Sequence, residues 1–459
     1  MFRVYAIMLL IIFNCPIYSQ TWHPLQKGVT NGLSDGFDQS EVMGLYTSIE
    51  RNQLLVCGNI THVDIDKRAS GFAAWDNSQW ISVDTSIGSW IKAITTFNNE
   101  IIIGISQTGG ATPDKRIQRL DGSQWHSFGS GLDTNGSVNV LSADNNHLYI
   151  GGYFDSIDGN AAQSIAAWDG VAWNNMNGGI ENTDTSSNSY RAIHCIYVDE
   201  NGDVYAGGDF THAGNAVARS IAKWDGSNWH SLSNSDFKLI TSIEKYNGEI
   251  YVAGIINTAR KIGKWDGNDW EIITTPHPSH FKPYYLRTFN GYLFAAENQN
   301  FSGSTKVLSW DGNEWSTVGS FTLSSNSTGM IFALEVFQNE LYVGGRFDSV
   351  NGMAAKNIAK LSMPPVSVEE QELENLQLTL SPNPARSNQQ INFERSMANE
   401  AAQLHLYDLQ GKLIESIRIP SGEKRSTFSL EKASGVYFYQ YQSMENPRQN
   451  QSGKLLLLK

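Results

Sequence analysis

From Trp22 to Lys459 the apolar residues fall in short runs separated by polar, Gly-rich breaks. Runs such as Leu148-Tyr149-Ile150 and Val204-Tyr205-Ala206 are rich in β-branched and aromatic residues and end on glycine. That pattern describes strands between tight turns. No stretch in this range sustains a 3.6-residue period over three turns, so no helix is expected there. Toward the C-terminus, Leu376, Leu378 and Leu380, then Leu404 and Leu406, alternate with polar residues. Each of those strands should bury one face. The pattern predicts an all-β chain.

One phrase recurs at 75–80, 120–125, 168–173, 224–229, 265–270 and 310–315, with the consensus Trp-Asp-Gly-x-x-Trp. Asp-Gly between aromatic strand ends signals a tight hairpin, because Gly takes the positive φ that the turn requires. A second pattern lies upstream. Leu148-Tyr149-Ile150-Gly151-Gly152 is echoed at 204–208 and 341–345, with weaker copies around Gly58, Gly104, Gly254 and Ala296. Another short strand precedes each, as at 138–143, 193–198, 240–245 and 331–337. Each repeat therefore holds four strands in about 41–58 residues, the size of a propeller blade.

The six phrases leave two complementary fragments. Residues 22–25 resemble a fourth strand, and residues 357–361 are a third strand with no fourth behind it. Pairing them predicts seven blades and leaves no open edge. Strand direction alternates within a blade, so the first-to-second and third-to-fourth connections share one face. Those are short, as at 144–147, 225–226 and 247–248. The opposite connections are long: 28–40, 107–115, 177–189, 274–283 and 298–305. This long-loop rim is the expected binding surface, with Phe37, Tyr190, Phe281, Tyr284 and Phe301 as its candidate residues. On the paired glycines and the later aromatic, residues 22–361 resemble the kelch-type propellers. The Trp-Asp-Gly-x-x-Trp phrase departs from kelch and looks closer to repeats common in exported bacterial proteins.

Beyond Leu361 the character changes: Pro364-Pro365, Glu369-Glu370 and Glu372 mark a linker. Seven strand-like runs follow between 376 and 458, which suggests a small β-sandwich. Three phrases then carry a resemblance. Leu380-Ser381-Pro382-Asn383-Pro384, Leu406-Tyr407-Asp408-Leu409-Gln410-Gly411-Lys412 and Ser434-Gly435-Val436-Tyr437-Phe438-Tyr439 resemble the opening, central hairpin and end of a C-terminal sorting domain (type A) of the type IX secretion system. The resemblance implies recognition by an outer-membrane export apparatus. At the other end, Arg3, the apolar residues 4–13, Pro16 and Ser19 describe a secretory signal peptide cut near Ser19 or Gln20. Its apolar run is shorter than the roughly 18 residues of a spanning helix, and no membrane span is expected. Cys15 raises a lipoprotein reading, but Asn14 before it and Pro16 after it depart from a lipobox.

The fold expected is a seven-bladed β-propeller followed by a small Ig-like β-sandwich. The expected boundaries are 1–19 signal peptide, 20–362 propeller, 363–374 linker and 375–459 sorting domain.

Composition narrows the function. The formal net charge is −13, and basic pairs such as Lys115-Arg116 do not grow into a patch, which excludes a nucleic-acid partner. Past the signal segment only Cys57 and Cys195 remain, in non-adjacent repeats, and are expected unpaired. His277 and His280 sit three apart in a Pro-bounded loop with no further ligand, so a plain loop is favoured over a metal site. Asp155 with Asp158, and Asp348 with Asn351, resemble small calcium loops, but their matching places in two repeats favour a repeated turn. Copper-radical oxidases also use kelch propellers, but their Cys, Tyr and His set cannot be assigned here. No phosphate-cradling loop is present, and no cofactor is expected.

The function expected is a secreted or cell-surface binding or adhesion module with a glycan or protein ligand. The alternative is a carbohydrate-active or other hydrolytic enzyme acting at the same rim. Clustered acids, or Tyr, His and Arg together at the centre of that rim, would favour the enzyme; scattered aromatics and amides would favour binding.

Overall fold

A computed structural model describes residues 20–30, 40–64, 67–82, 87, 90–106, 112, 115–121, 124–133, 135–183, 192–232, 236–275, 282–297, 304–323, 329–363, 378–395, 401–408, 413–430, 434–443 and 450–458. Among these residues the regular elements are strands, and no helix is long and apolar enough to cross a membrane. The chain divides into two compact units, Met1–Pro365 and Val366–Lys459.

The first unit holds seven antiparallel sheets with four principal strands each, and no sheet closes on itself. In chain order their first strands are Glu41–Ser48, Ile91–Phe97, Ser137–Ala143, Ala192–Val198, Phe237–Tyr246, Pro283–Phe289 and Met330–Phe337. In the first six sheets the remaining three strands follow in sequence. The seventh sheet takes Glu340–Arg346 and Ile358–Ser362, then Thr21–Pro24 from the other end of the unit. Trp22 stands opposite Leu361 and His23 opposite Lys360 in that pairing, as the complementary fragments predict.

The recurrent phrase builds the outer hairpin of the first six sheets. Trp75 faces Trp80 across it, and the same cross-strand pair recurs at 168/173, 224/229, 265/270 and 310/315. Ring centroids in these pairs lie 5.1–5.4 Å apart. The turn closes because the Asp side chain caps it. Asp225 Oδ1 accepts from the backbone N–H of Ser227 (2.9 Å) and Asn228 (2.7 Å), and Gly226 takes φ +93°. Asp76, Asp169, Asp266 and Asp311 cap their turns in the same way.

The core lies between sheets rather than within one layer. Leu55, Cys57 and Phe72 of the first sheet pack with Ile94, Ile101 and Ile103 of the second. Tyr149 and Ile165 of the third pack with Ile193, Val204 and Trp224 of the fourth. Leu25, Tyr342 and Ile358 of the seventh pack with Val42, Leu54 and Trp80 of the first. The closing tryptophans reach across these seams. Trp80, Trp229 and Trp270 donate their indole N–H to the carbonyls of Leu25, Met176 and Leu232, each just past the fourth strand of the preceding sheet. Trp22 donates to Val318 of the sixth sheet at 2.7 Å and meets Phe321 edge-on at 5.2 Å.

The second unit pairs a three-stranded sheet (Leu378–Ser381, Gln390–Arg395, Arg425–Ser429) with a five-stranded one. Leu380, Ile391 and Phe393 of the first pack with Leu404, Leu406, Tyr441 and Leu455 of the second. Arg395 is buried here, and its guanidinium donates to the Tyr441 hydroxyl and the carbonyls of Pro420 and Glu423, all at 2.8 Å. Those partners offset the cost of burying a charge.

Trp22→Ala removes a buried indole and its bond to the sixth sheet, so it should cost about 3–5 kcal/mol in urea unfolding. Deleting residues 20–27 should cost more; a truncated chain that melts with its parent would show that this strand holds nothing together.

Candidate functional site

One irregularity recurs in all seven first strands. Near the start of each, the register with the second strand slips by one residue, leaving a bulged residue. At matching places the bulged residues are Met43, Lys92, Asn139, His194, Thr241, Tyr284 and Phe332; the first strand of the fifth sheet slips a second time at Lys238. A bulge bends the strand and re-aims one side chain.

The paired glycines make room for it. A Cβ on Gly152 would lie 2.0 Å from the Ser137 carbonyl oxygen at the bulge, and one on Gly151 would lie 2.6 Å from Ile193 of the next sheet. Gly207-Gly208 and Gly344-Gly345 face the same two obstacles. One glycine therefore admits the bulge, and its neighbour admits the adjacent sheet.

First strands of successive sheets lie side by side, and Met330–Phe337 lies beside Glu41–Ser48. The seven bulged residues thus share one end of neighbouring strands, the end entered from the long fourth-to-first connections. Lys92 Nζ donates to Asn139 Oδ1 at 2.8 Å, and Asn139 Nδ2 donates to the Ile193 carbonyl at 3.0 Å. Thr241 Oγ1 donates to the Tyr284 carbonyl at 2.8 Å. Arg260, near the start of the fifth sheet's third strand, places its guanidinium carbon 4.0 Å from the Tyr284 ring centroid, within cation–π range. Arg260 Nη1 is buried and has no hydrogen-bond partner.

Charges of both signs stand at this end: Asp209 lies opposite Ala192, and buried Glu297 lies opposite Pro283, where it accepts from the backbone N–H groups of Lys282 and Lys306. Burial, then Lys92 and Arg260, push the His194 imidazole down to about 4, so it is neutral near pH 7. Burial also lowers the Lys92 ammonium from its ordinary value. None of the seven bulged residues is acidic. Glu41, at the start of the first sheet's first strand, pairs with Arg346 at 3.6 Å, and burial raises its carboxyl against that pull. Three residues beyond the bulge, Arg287 joins neighbouring strands by bonding Glu335 at 2.6 Å and approaching Glu244 at 3.9 Å. Burial raises both carboxyls, while Glu335 chiefly raises Arg287.

The opposite, hairpin face carries two adjoining hollows of about 530 and 490 Å³. Their carboxylates are engaged locally: Asp144 caps its own turn at Asn146 and His147, and Glu200 bonds Lys245.

Of the candidates read from sequence, Tyr284 is one of the gathered residues; Phe37, Tyr190, Phe281 and Phe301 lie outside the described residues, as do His277 and His280. Lys92, Asn139, His194 and Arg260 were missed, although the glycine pairs opposite the bulges were visible. Among the described residues, no His, Cys, Asp or Glu side chains group in threes to hold a metal. Asp158 Oδ1 instead accepts from the Ser130 N–H (2.7 Å) and hydroxyl (2.9 Å), and Asn351 Oδ1 accepts from the Ser320 N–H (2.8 Å). Both acceptors dock a small hairpin onto the preceding sheet. Cys57 and Cys195 are free thiols, held well above their ordinary pKa by burial.

Residues 379–455 match the family described as "Secretion system C-terminal sorting domain". The second unit is a type IX sorting domain. Proteins carrying this sorting domain are secreted or held at the outer cell surface, and it implies contact with the type IX machinery. No curated protein matches the chain. Among solved structures, a fungal alcohol oxidase of the AA5 family in complex with copper is similar at 12% identity and TM-score 0.46, over 96% of this chain and 100% of its own. The polysaccharide lyase Uly1 is similar at 10% identity and TM-score 0.29, over 75% and 99%. A glycoside hydrolase is similar at 14% identity and TM-score 0.25, over 80% and 94%. Likenesses this distant carry no argument about chemistry.

His194 makes stability depend on pH. Its folded pKa, about 4, lies below its ordinary value of 6.5, so the unfolded chain takes the proton first as pH falls. Its contribution is complete above pH 6.5 and is lost toward pH 4. Urea unfolding of His194→Gln across that window should show a flatter pH dependence than the parent; parallel curves would place an ordinary imidazole there.

Proposed function

We propose that the first unit is a seven-bladed, kelch-like β-propeller that works outside the cell as a binding or adhesion module. Its ligand docks where the seven bulged residues meet, on the long-loop rim. The gathering of Lys92, Asn139, His194, Thr241, Tyr284 and Phe332 at matching places on neighbouring strands carries this reading. Seven four-stranded sheets, cores shared between successive sheets, and the pairing of Thr21–Pro24 with the seventh sheet support the propeller. In this reading residues 1–19 are the signal peptide, 20–362 the propeller, 363–374 a linker, and 375–459 an Ig-like sandwich that serves as the sorting domain. Rigid strands hold the site residues, while the long loops vary around them. A second reading, a carbohydrate-active or other hydrolytic enzyme at the same rim, draws on one observation: Tyr284, His194 and Arg260 stand at this end together.

Two experiments test these assignments. A foreign protein carrying an N-terminal signal peptide and residues 374–459 should leave a type IX-competent cell. Its retention in the periplasm, beside a working sorting domain, would remove the export role. For the site, a glycan array and a hydrolase screen of the full chain should yield a ligand whose affinity falls in Asn139→Ala and Phe332→Ala but not in the hairpin-face variant Asn145→Ala. The reverse pattern would put the site on the wrong face, and turnover in the screen would favour the enzyme.

A further inference from the structure

We infer that the site binds an acidic sugar, a carboxylated or sulfated unit of a polysaccharide, with Lys92 and Arg260 as the residues that recognise its charge. The inference rests on the rim reading above. Most well-placed cations of this acidic chain are already paired: Lys223 with Asp203, Lys245 with Glu200, Lys356 with Asp348, Lys360 with Glu340 and Arg287 with Glu335. Lys92 and Arg260 differ. Among the described residues neither has a carboxylate partner. The ammonium of Lys92 meets only a neutral amide, that of Asn139. Arg260 keeps a buried N–H without an acceptor while its face is held against Tyr284.

A buried guanidinium donor left unsatisfied costs free energy that an arriving anionic oxygen would recover. Both cations depress His194, so the three groups already share one electrostatic environment. An anion placed there would be attracted by both cations.

The neighbours point to a sugar rather than an acidic peptide. Neutral His194 offers one donor and one acceptor and has no hydrogen-bond partner among the described residues, which suits a hydroxyl group. Phe332 and Met43 supply partly exposed apolar surface at the same strand position, which suits the C–H face of a pyranose ring. A run of carboxylates on a peptide would use the charges but leave these groups unmatched.

The test is calorimetry on the full chain with four probes: oligogalacturonate, dextran sulfate, neutral dextran and polyglutamate. At least one of the two acidic glycans should bind, and neutral dextran and polyglutamate should bind far more weakly. Lys92→Gln and Arg260→Gln should each weaken binding by about tenfold or more, and Arg260→Lys should recover part of the loss. Lys245→Gln, on the hairpin face, should change nothing. Thermal melts confirm that each variant is folded.

Equal binding of polyglutamate, or equal loss in Lys245→Gln, would mean unspecific charge attraction and overturn the inference, as would silence from both acidic glycans. A neutral glycan whose binding responds to Phe332→Ala but not to Lys92→Gln would overturn it while leaving the rim as the binding site. Indifference of every bound probe to all the rim variants would overturn both.

Discussion

Steric room opposite one carbonyl governs much of the first unit. Where the first strand bulges, its carbonyl oxygen occupies the space that a Cβ on the facing residue would need, as at Ser137 and Gly152. Glycine there lets the bulge form, and the glycine beside it lets the next sheet close in, as Ile193 does on Gly151. The same small region therefore sets both the approach of neighbouring sheets and the position of the bulged side chains. A side chain at Gly152 would have to displace backbone, and one at Gly151 would have to displace the branched side chains of Ile193 and Val140.

The hairpin tryptophans act at the other end of the sheet. Each opener–closer pair contributes beyond its burial, on the order of 0.5–1.5 kcal/mol for a well-placed aromatic pair. The Asp cap keeps the turn closed without help from the core. Hydrogen bonds outweigh burial in its ionisation: the backbone N–H groups around Asp266 lower its carboxyl, and at Asp225 the His230 hydrogen bond, then the backbone, lower it to about 2. The indole N–H groups that cross to the preceding sheet convert a local hairpin into a join between sheets. Trp22 does this from a strand that comes from the far end of the unit, so the last join depends on residues remote in sequence.

Electrostatics divide the surface of the first unit. On the hairpin face the carboxylates cap turns or hold lysines, and the exposed turn aspartates stay ionised. At the bulged end Lys92 and Arg260 have no carboxylate partner among the described residues, and burial keeps the His194 imidazole neutral. The sorting domain is a compact unit with its own core around Phe393, Leu404 and Tyr441, and its buried Arg395 is fully engaged within that unit.

The amino-acid sequence by itself determined what is local: the strand runs, the Asp-Gly turns and the phrases of the sorting domain. Each depends on neighbours a few residues apart, so the pattern carries it. Even the pairing of residues 22–25 with 357–361 was legible, because a missing strand and a spare one have matching patterns. The bulged residues were not legible. Lys92, Asn139 and His194 sit in ordinary strand sequence, and nothing in the type of residue separates them from their neighbours. Tyr284 was selected for being an aromatic on the rim, not for its register. Which residue faces a glycine across the sheet, and which chain lies beside it in the next sheet, are settled only when the sheets pack. Tertiary structure alone therefore brings Lys92, His194 and Arg260, from three different sheets or strands, into one electrostatic environment.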